Sequence, residues 1–509
     1  MKMISHILIS LEDFRISIPE FNSVFYDNLG KLFVYEPNAP LIFSSGVFWV
    51  LFLIFLPIYG FLKRRKMQMT FFVIAFSLYF YYKSSGLFFL MLIATSFIDW
   101  FVSKLMVRLH KRSARLCLMW FSITLSLSIL GYFKYANFFL WNWNQMVEGN
   151  FQPLDIILPV GISFYTFQSI SYVVDVYKRK IQPTESWFDY LFFLSFFPAL
   201  VAGPIVRADY FLPQLKKNKS ATSEMIWGGL WLIMVGVIKK ALIADYISQY
   251  NDLIFDDPQL YTGVQTLMGV LGYTMQIYCD FSGYSDMAIG LALMMGFKLG
   301  INFDSPYTSK NLTEFWRRWH ISLSSWLRDY VYIPLGGNRK GTFRTYLNNF
   351  LTMLIGGLWH GAAWKFVFWG AMHGIGLAIH KALKPLLNKI PDNWFTISIF
   401  SIITFIYVSF LWVFFRAADF NDSILIIGNI FVDFQWNQIP QFFTARMVWC
   451  IMMLALFIMH IIPQTYADKA QMIFVKSPWI IKFITFLIVI QLVIEFMTAE
   501  VSPFIYFQF

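Results

Sequence analysis

Long stretches of hydrophobic residues alternate with short clusters of Lys and Arg along most of the 509-residue chain. A helix needs about 20 consecutive apolar residues to cross a bilayer core, and many stretches approach that length. In lipid, only helices and closed barrels satisfy their own backbone hydrogen bonds. The pattern predicts an all-α, polytopic membrane protein with about 11 transmembrane helices, together with re-entrant and interfacial helices.

The predicted spans begin after an N-terminal interfacial segment at 1–40, and residues 41–509 form a single transmembrane domain. A segment at 188–206 has basic clusters at both ends and contains Pro198, Gly203 and Pro204. It is therefore predicted to be broken or re-entrant, with irregular backbone that lines a protein cavity. The apolar piece at 284–297 is too short for a span, and its place stays open. The remaining apolar runs cover 41–62, 68–83, 86–103, 116–140, a run from 157, 225–247, a run from 261, 394–415, 446–462 and 479–498.

The basic clusters set the expected orientation, because loops rich in Lys and Arg stay in the cytoplasm. The first cluster, Lys63–Lys66, directly follows the first span, and further clusters recur between later spans. This spacing places both chain termini outside the cytoplasm. The net charge of +11 is distributed in these loops, so it indicates membrane topology and not nucleic-acid binding.

Composition agrees with this interpretation and excludes several kinds of chemistry. Of all residues, 58% are hydrophobic and only 14% are charged, which is too few charges for a soluble domain. The three cysteines lie far apart in apolar segments, so neither a metal site nor a disulfide framework is predicted. No GxSxG motif occurs, and no cysteine lies near a histidine motif, which disfavours a Ser or Cys nucleophile.

A basic region at 298–345 is predicted to form surface helices on the cytoplasmic side. From the expected N-cap Asn311, apolar residues recur at steps of three and four, with arginines on the opposite face. This pattern predicts one helix in the membrane interface, with its tryptophans facing the membrane and His320 at the edge of the apolar stripe. The helix is either an anchor whose arginines meet lipid phosphates or the place where a phosphate-bearing acyl donor binds. Candidate donor-binding residues are Arg317, Arg318, Arg328, Trp316 and Trp319.

The apolar region at 346–380 lies between two basic stretches and is predicted to form a re-entrant hairpin. Its 35 residues would make a helix of about 52 Å, which is too long for one crossing of a core about 30 Å thick. The expected turn is Gly356–Gly357, which places His360 near the tip, deep in the membrane. An ionisable residue at that depth is a candidate functional residue, and burial keeps a histidine neutral and able to act as a base. Alternatively, His360 makes a structural hydrogen bond between helices.

Together, FWRRWHISLSSWLRDYVYIPLGG and GLWHGAAWKFVFWGAMHG resemble the membrane-bound O-acyltransferases. The bacterial branch of alginate O-acetyltransferases and teichoic acid D-alanyl transferases fits best. The resemblance extends over 41–509 and includes FFPALVAGPIVR, YCDFSGYSDMAIG, NFDSPY, WVFFRA and the terminal PFIYFQF. It implies a ring of helices around a central tunnel, with catalytic His360 and His320 as its partner. Candidate tunnel-lining residues in these motifs are Trp359, Asp286, Tyr284 and Asn302.

The resemblance implies an enzyme of the bacterial cytoplasmic membrane that moves an acyl group from a cytoplasmic thioester to an extracytoplasmic hydroxyl. Acetyl-CoA is the simplest co-substrate, and no bound cofactor or metal is expected. The expected partners are an extracytoplasmic acyl-relay protein or a polysaccharide, besides membrane lipid. Two alternatives stay open: D-alanyl transfer from a carrier protein, and a polysaccharide or lipid transporter. The absence of a visible internal repeat disfavours the transporter.

Overall fold

The computed structural model describes residues 32–37 and 40–496. These residues form helices joined by turns and irregular segments, with no strand among them. The predicted all-α fold is thereby confirmed. Numbered in chain order from residue 46, the α-helices are α1 (Gly46–Leu62), α2 (Lys66–Ser85), α3 (Phe89–Arg108), α4 (Arg112–Leu130), α5 (Ala136–Val147), α6 (Ile162–Tyr177), α7 (Trp187–Ser195), α8 (Phe197–Leu200), α9 (Ala208–Lys217), α10 (Ser223–Val237), α11 (Asp245–Asp256), α12 (Gly263–Met294), α13 (Leu312–Arg318), α14 (Ile321–Leu327), α15 (Thr342–His360), α16 (Trp364–Leu387), α17 (Trp394–Arg416), α18 (Phe420–Val432), α19 (Gln438–Ala445), α20 (Met447–Ile461), α21 (Gln464–Lys476) and α22 (Trp479–Phe496).

Three π-helical segments continue regular helices in the part of the chain that the structure describes. They are Gly131–Tyr135 between α4 and α5, Ile238–Ala244 between α10 and α11, and Arg328–Tyr332 after α14. A π turn interrupts the regular hydrogen-bond ladder and occurs often at functional sites. The first segment carries Lys134, and the second carries Lys239 and Lys240.

Several helical stretches of the described chain are apolar and long enough to cross a membrane. There are five of them, or six if the bent pair α19 and α20 counts as one span. The protein is therefore a polytopic membrane protein, as predicted, but the expected count of about eleven spans is not confirmed. Shorter apolar helices, among them α1 with 17 residues, account for part of the difference.

The long helix α12 packs antiparallel to α10 through two pairs of glycines. A Cβ atom added to Gly236 would lie 2.5 Å from the carbonyl oxygen of Gly283. A Cβ atom on Gly229 would likewise lie 2.6 Å from the carbonyl oxygen of Gly290. Small residues are what allow two helix backbones in a membrane to approach this closely. The 32 residues of α12 also absorb 284–294, so most of the short piece left open in the sequence is the end of a long helix.

Buried ion pairs join the same helices where the π segment Ile238–Ala244 begins. Lys239 lies 2.7 Å from the carboxylate of Asp286. Lys240 is 2.5 Å from Asp280 and 2.8 Å from Asp245, and all three side chains are at least nine-tenths buried. Charges removed from water in this way need partners, so the acidic residues of α12 compensate the lysines of the neighbouring helix.

The structure confirms one irregular segment and adds helices that the sequence pattern missed. Between α7 and α9 the chain forms only the four-residue helix α8 and an extended stretch, so 188–206 is broken as predicted. After α17, helices α18, α19 and α21 were not predicted, because each is short and its apolar face is interrupted by polar residues. The predicted interfacial segment at 1–40 and the terminal PFIYFQF lie largely or wholly outside the described residues.

Candidate active site

His360 is the last residue of α15, and the chain returns immediately in α16. Only residues 361–363 connect the two helices, and His360 is buried. The expected turn at Gly356–Gly357 is therefore wrong, because α15 continues helically through both glycines. The physical reason is that these glycines lie in a helix–helix contact, where their small size matters more than their flexibility.

Gly357 and Gly370 face each other in the contact between α15 and α16. A Cβ atom on Gly357 would lie 2.3 Å from the carbonyl oxygen of Phe366. A Cβ atom on Gly370 would lie 2.5 Å from the carbonyl oxygen of Met353. Backbone atoms cannot move aside cheaply, so the spacing of the two helices, and with it the position of His360, depends on these glycines.

Replacing Gly357 with alanine should destabilise the α15–α16 pair by about 1–3 kcal/mol and reduce activity, since the helices must separate. Gly356→Ala is the matched control, because its added Cβ would meet only the flexible end of Leu327 at 3.1 Å. Thermal unfolding of both purified variants in detergent tests this expectation. Equal stability of the two variants would show that the contact does not set the helix spacing.

An aromatic cluster brings the two predicted histidines together. The indole ring of Trp359 lies with its centroid 6.0 Å from the ring of His320 and 5.0 Å from that of His360. Trp369 and Phe415 pack on the other sides of His360, at 5.0 and 5.2 Å. One tryptophan therefore contacts both histidines, although 40 residues of chain separate them.

The helix predicted to run on from Asn311 is interrupted at His320. Helix α13 ends at Arg318 and α14 begins at Ile321, and His320 between them adopts a left-handed conformation with φ +42°. The single continuous interfacial helix is therefore wrong. A non-glycine residue with positive φ is strained and occurs often at functional sites. The break turns His320 from the predicted helix edge into the protein interior, where it is fully buried.

Asn302 defines the hydrogen-bonding state of His320. The Asn302 Oδ1 atom accepts a hydrogen bond from the backbone N–H of Ser322 at 3.1 Å, which identifies this atom as the oxygen. It also lies 3.2 Å from His320 Nδ1, so Nδ1 carries the proton. Burial lowers the pKa of His320 to about 3, and the ring is therefore neutral at physiological pH. Its Nε2 is left as a buried acceptor, with no hydrogen-bond donor among the described residues.

A pocket of about 80 Å³ reaches His360. Irregular chain before α6 and the first turn of that helix form one wall, and Val201 from the broken segment contributes to another. The expectation that the broken segment lines a cavity is met at this residue. The lining residues are Lys134, Leu158, Pro159, Val160, Gly161, Ile162, Ser163, Phe164, Val201, Trp359 and His360.

The two predicted donor-binding tryptophans pack against other aromatic residues of the protein, Trp319 fully and Trp316 in part. Trp319 is 1% exposed and packs against Phe303 and Trp412. The half-buried Trp316 donates a hydrogen bond from Nε1 to Nδ1 of His373 at 3.4 Å. The tryptophans that were predicted to face the membrane therefore pack against neighbouring segments of the same chain.

The arginines of this region differ in their partners. Arg318 forms an ion pair with Glu314 at 2.7 Å and donates a hydrogen bond to Thr308 at 3.0 Å. Arg328 forms an ion pair with Asp329 at 2.8 Å. Arg317 is exposed and has no ion-pair partner among the described residues. Of the three arginines, Arg317 therefore has the guanidinium group that makes the fewest ion pairs with the described residues.

The predicted tunnel-lining residues separate into two groups. Trp359 and Asn302 contact the histidines, as described above. Tyr284 stacks on Phe43, with centroids 4.6 Å apart, and Asp286 is engaged with Lys239. Within the described chain, neither Tyr284 nor Asp286 belongs to the lining of the His360 pocket.

Sequence reasoning missed Lys134, although a signal was present. Lys134 is the single charged residue between Arg115 and Glu148, and an isolated charge in an apolar helix is a marker of function. The irregular wall at 158–161 carried no such signal, because its residues are apolar or small.

The fold and site describe an integral membrane protein with two buried histidines, of which His360 lines a pocket and His320 packs against the pocket residue Trp359. The model of the membrane-bound O-acyltransferase family matches residues 184–418, which include both histidines. The chain is 39% identical to a probable alginate O-acetylase of Pseudomonas putida over 92% of this chain and 100% of the relative. It is 36% identical to a peptidoglycan O-acetyltransferase of Helicobacter pylori over 79% and 80% of the two chains. A teichoic acid D-alanyltransferase of Bacillus subtilis is 28% identical over 55% of this chain and 74% of that protein.

The chain belongs to the membrane-bound O-acyltransferase family. It is an O-acyltransferase, and the resemblance noted in the sequence is confirmed. The assignment favours the enzyme over the transporter that the sequence left open.

Proposed function

We propose that this enzyme transfers an acetyl group from a cytoplasmic thioester donor, most simply acetyl-CoA, to a hydroxyl group outside the cytoplasm. The acceptor is a polysaccharide or a hydroxyl of a partner relay protein. The observation that carries this proposal is the pocket that reaches His360 at the end of α15. The opposite end of α15 begins beside the basic residues Arg339, Lys340 and Arg344, about 27 Å away along the helix axis.

The distance between the two ends of α15 suits a donor that enters from the basic side. The nucleotide phosphates would bind near the basic end and the exposed Arg317, because guanidinium groups bind phosphate strongly. The acyl arm would then extend toward His360, while the acceptor hydroxyl enters through the pocket beside Lys134 and Phe164. This arrangement lets two substrates reach one centre from opposite sides.

A side chain of this protein can carry out the proton transfer that the proposed reaction requires. Neutral His360 accepts the hydroxyl proton while the hydroxyl oxygen attacks the thioester carbonyl carbon. The carbon–sulfur bond then breaks, an ester forms, and the thiolate takes up a proton as it leaves. The free Nε2 acceptor of His320 suits a hydrogen bond from an N–H group of the donor arm, which supports an orienting role. As a neutral ring with Nδ1–H on Asn302, His320 has no N–H to donate to the oxyanion at Nε2.

The relatives favour acetyl over D-alanyl transfer. The two O-acetyltransferases are 39% and 36% identical to this chain over most of their lengths, against 28% for the D-alanyltransferase. We therefore propose the acetyl group and keep D-alanyl transfer as an outcome of the experiment. The basic clusters further support a location in the bacterial cytoplasmic membrane, with both termini outside the cytoplasm.

The purified protein in detergent, incubated with acetyl-CoA labelled in the acetyl group, tests the proposal. Release of free CoA and transfer of label to an added polysaccharide or hydroxyl acceptor are the expected results. A parallel incubation with D-alanine bound as a thioester to a carrier protein distinguishes the alternative. Transfer only from the carrier would replace the acetyl proposal, and transfer from neither donor would overturn the thioester mechanism.

A further inference from the structure

Lys134 lies in an otherwise uncharged helical run, outside the 184–418 segment that the family model matches. An ammonium group in such a place is costly unless the protein gives it partners. Its partners are the last backbone carbonyls of the helix that carries His360. The Nζ atom donates to the carbonyl oxygens of Trp359 at 2.6 Å and of His360 at 3.0 Å.

Tyr135 extends the same contact by one residue. Its hydroxyl donates a hydrogen bond to the carbonyl oxygen of Leu358 at 2.6 Å. The last four carbonyls of a helix have no partner within the helix, and this end carries roughly half a negative charge. Three consecutive carbonyls at the end of α15 are therefore satisfied by the donor groups of two adjacent side chains.

The π-helical segment Gly131–Tyr135 accounts for how two adjacent residues reach one helix end. In a regular α-helix, adjacent side chains point about 100° apart. Here the regular turn is interrupted at these residues, and Lys134 and Tyr135 both contact α15. The side chain of Lys134 also lines the pocket together with His360. A π segment, an isolated charge and the pocket thus coincide at one place.

We propose that Lys134 is a positioning residue for acyl transfer. Its ammonium group holds the C-terminal end of α15, and with it the His360 ring, at the pocket. A misplacement of about 1 Å at a reacting group can reduce the rate by about 10²-fold, so losing this contact should slow the chemical step. This inference rests on the proposed role of His360 as the base.

The test compares Lys134→Met, Lys134→Arg and Tyr135→Phe with the wild-type enzyme. Lys134→Met keeps the length of the side chain but removes the donors and the charge. We expect its kcat to fall by about 10- to 100-fold. Its KM for acetyl-CoA should stay within about 2-fold, because no donor contact is removed. Lys134→Arg, which keeps a charged donor, should recover much of kcat, and Tyr135→Phe should have a smaller effect than Lys134→Met.

Two results would overturn the proposal. One is a kcat of Lys134→Met within about 2-fold of wild type. The other is a Lys134→Arg enzyme as slow as Lys134→Met, with thermal unfolding lowered equally in both, which would indicate a purely structural contact. His360→Ala, measured in parallel, distinguishes a failure of the base role of His360 from a failure of the positioning role of Lys134. If His360→Ala keeps the wild-type rate, the role of His360 as the base fails; if it is inactive while Lys134→Met is fast, only the positioning role of Lys134 fails.

Discussion

His360→Ala should reduce acyl transfer by about 10²- to 10⁴-fold, the usual contribution of a positioned general base. His360 is the histidine that lines the pocket, and its ring is fixed between Trp359, Trp369 and Phe415. Among the described histidines, His360 is the one in the pocket lining, whereas His320 and His373 are fully buried outside that lining. Release of free CoA from acetyl-CoA, measured with an added hydroxyl acceptor, provides the readout.

Two further variants show whether the loss comes from chemistry or from packing. His360→Gln fills more of the space between the aromatic rings but cannot act as a base near neutral pH, so it should be as inactive as His360→Ala. His380→Ala removes a half-buried histidine whose Nδ1 lies 3.0 Å from the Thr313 hydroxyl, and it should retain activity. CoA release at the wild-type rate from a folded His360→Ala protein would refute the role of His360 as the base.

Lys240→Met should lower the free energy of unfolding by about 3–5 kcal/mol, the cost of breaking a buried ion pair by removing one partner. The change would leave the buried carboxylates of Asp245 and Asp280 without the ammonium charge that they share. Because this network joins α10, α11 and α12, its loss should affect the centre of the helical domain. Thermal or denaturant unfolding of the purified protein in detergent measures the effect.

An exposed ion pair provides the matched control for this prediction. Lys310 lies 2.7 Å from Asp392, and 37% of the Lys310 side chain and 70% of the Asp392 side chain are exposed. Lys310→Met should therefore cost no more than about 1 kcal/mol. Adding Asp280→Asn to Lys240→Met should restore part of the stability, because it removes one of the uncompensated charges. Equal effects of Lys310→Met and Lys240→Met would contradict the role assigned to burial.

Much of the site was predictable because its signals are local. His360 and His320 stand out as ionisable residues within aromatic, nearly uncharged motifs, and the basic clusters mark the ends of the spans. The broken segment at 188–206 was predictable as well, because Pro198 and Pro204 lack the backbone N–H group that the interior of a regular helix requires. The N-cap role of Asn311 is also confirmed, since its side chain accepts from the backbone N–H of Glu314 at 2.9 Å.

The predictions that were wrong relied on local sequence patterns that are compatible with two different structures. The apolar spacing after Asn311 fits a continuous helix. In the structure, however, the left-handed conformation of His320 interrupts the helix, and the His320 ring is buried. Gly356–Gly357 fits a turn as well as a close helix contact, and only the packing of α15 on α16 decides between them. The partners of Lys134 could not be inferred, because more than 220 residues separate Lys134 from the carbonyls it binds.

By itself, the sequence determined the all-α membrane class, the basic loops and the two histidines, since hydrophobicity, charge and motif are properties of short segments. The tertiary structure decided which groups meet: His320 on Asn302, Trp359 between the two histidines, and Lys134 on the end of α15. The physical reason is that hydrogen bonds and ring contacts act over a few ångströms. Residues far apart in the chain come within that range only when the helices pack.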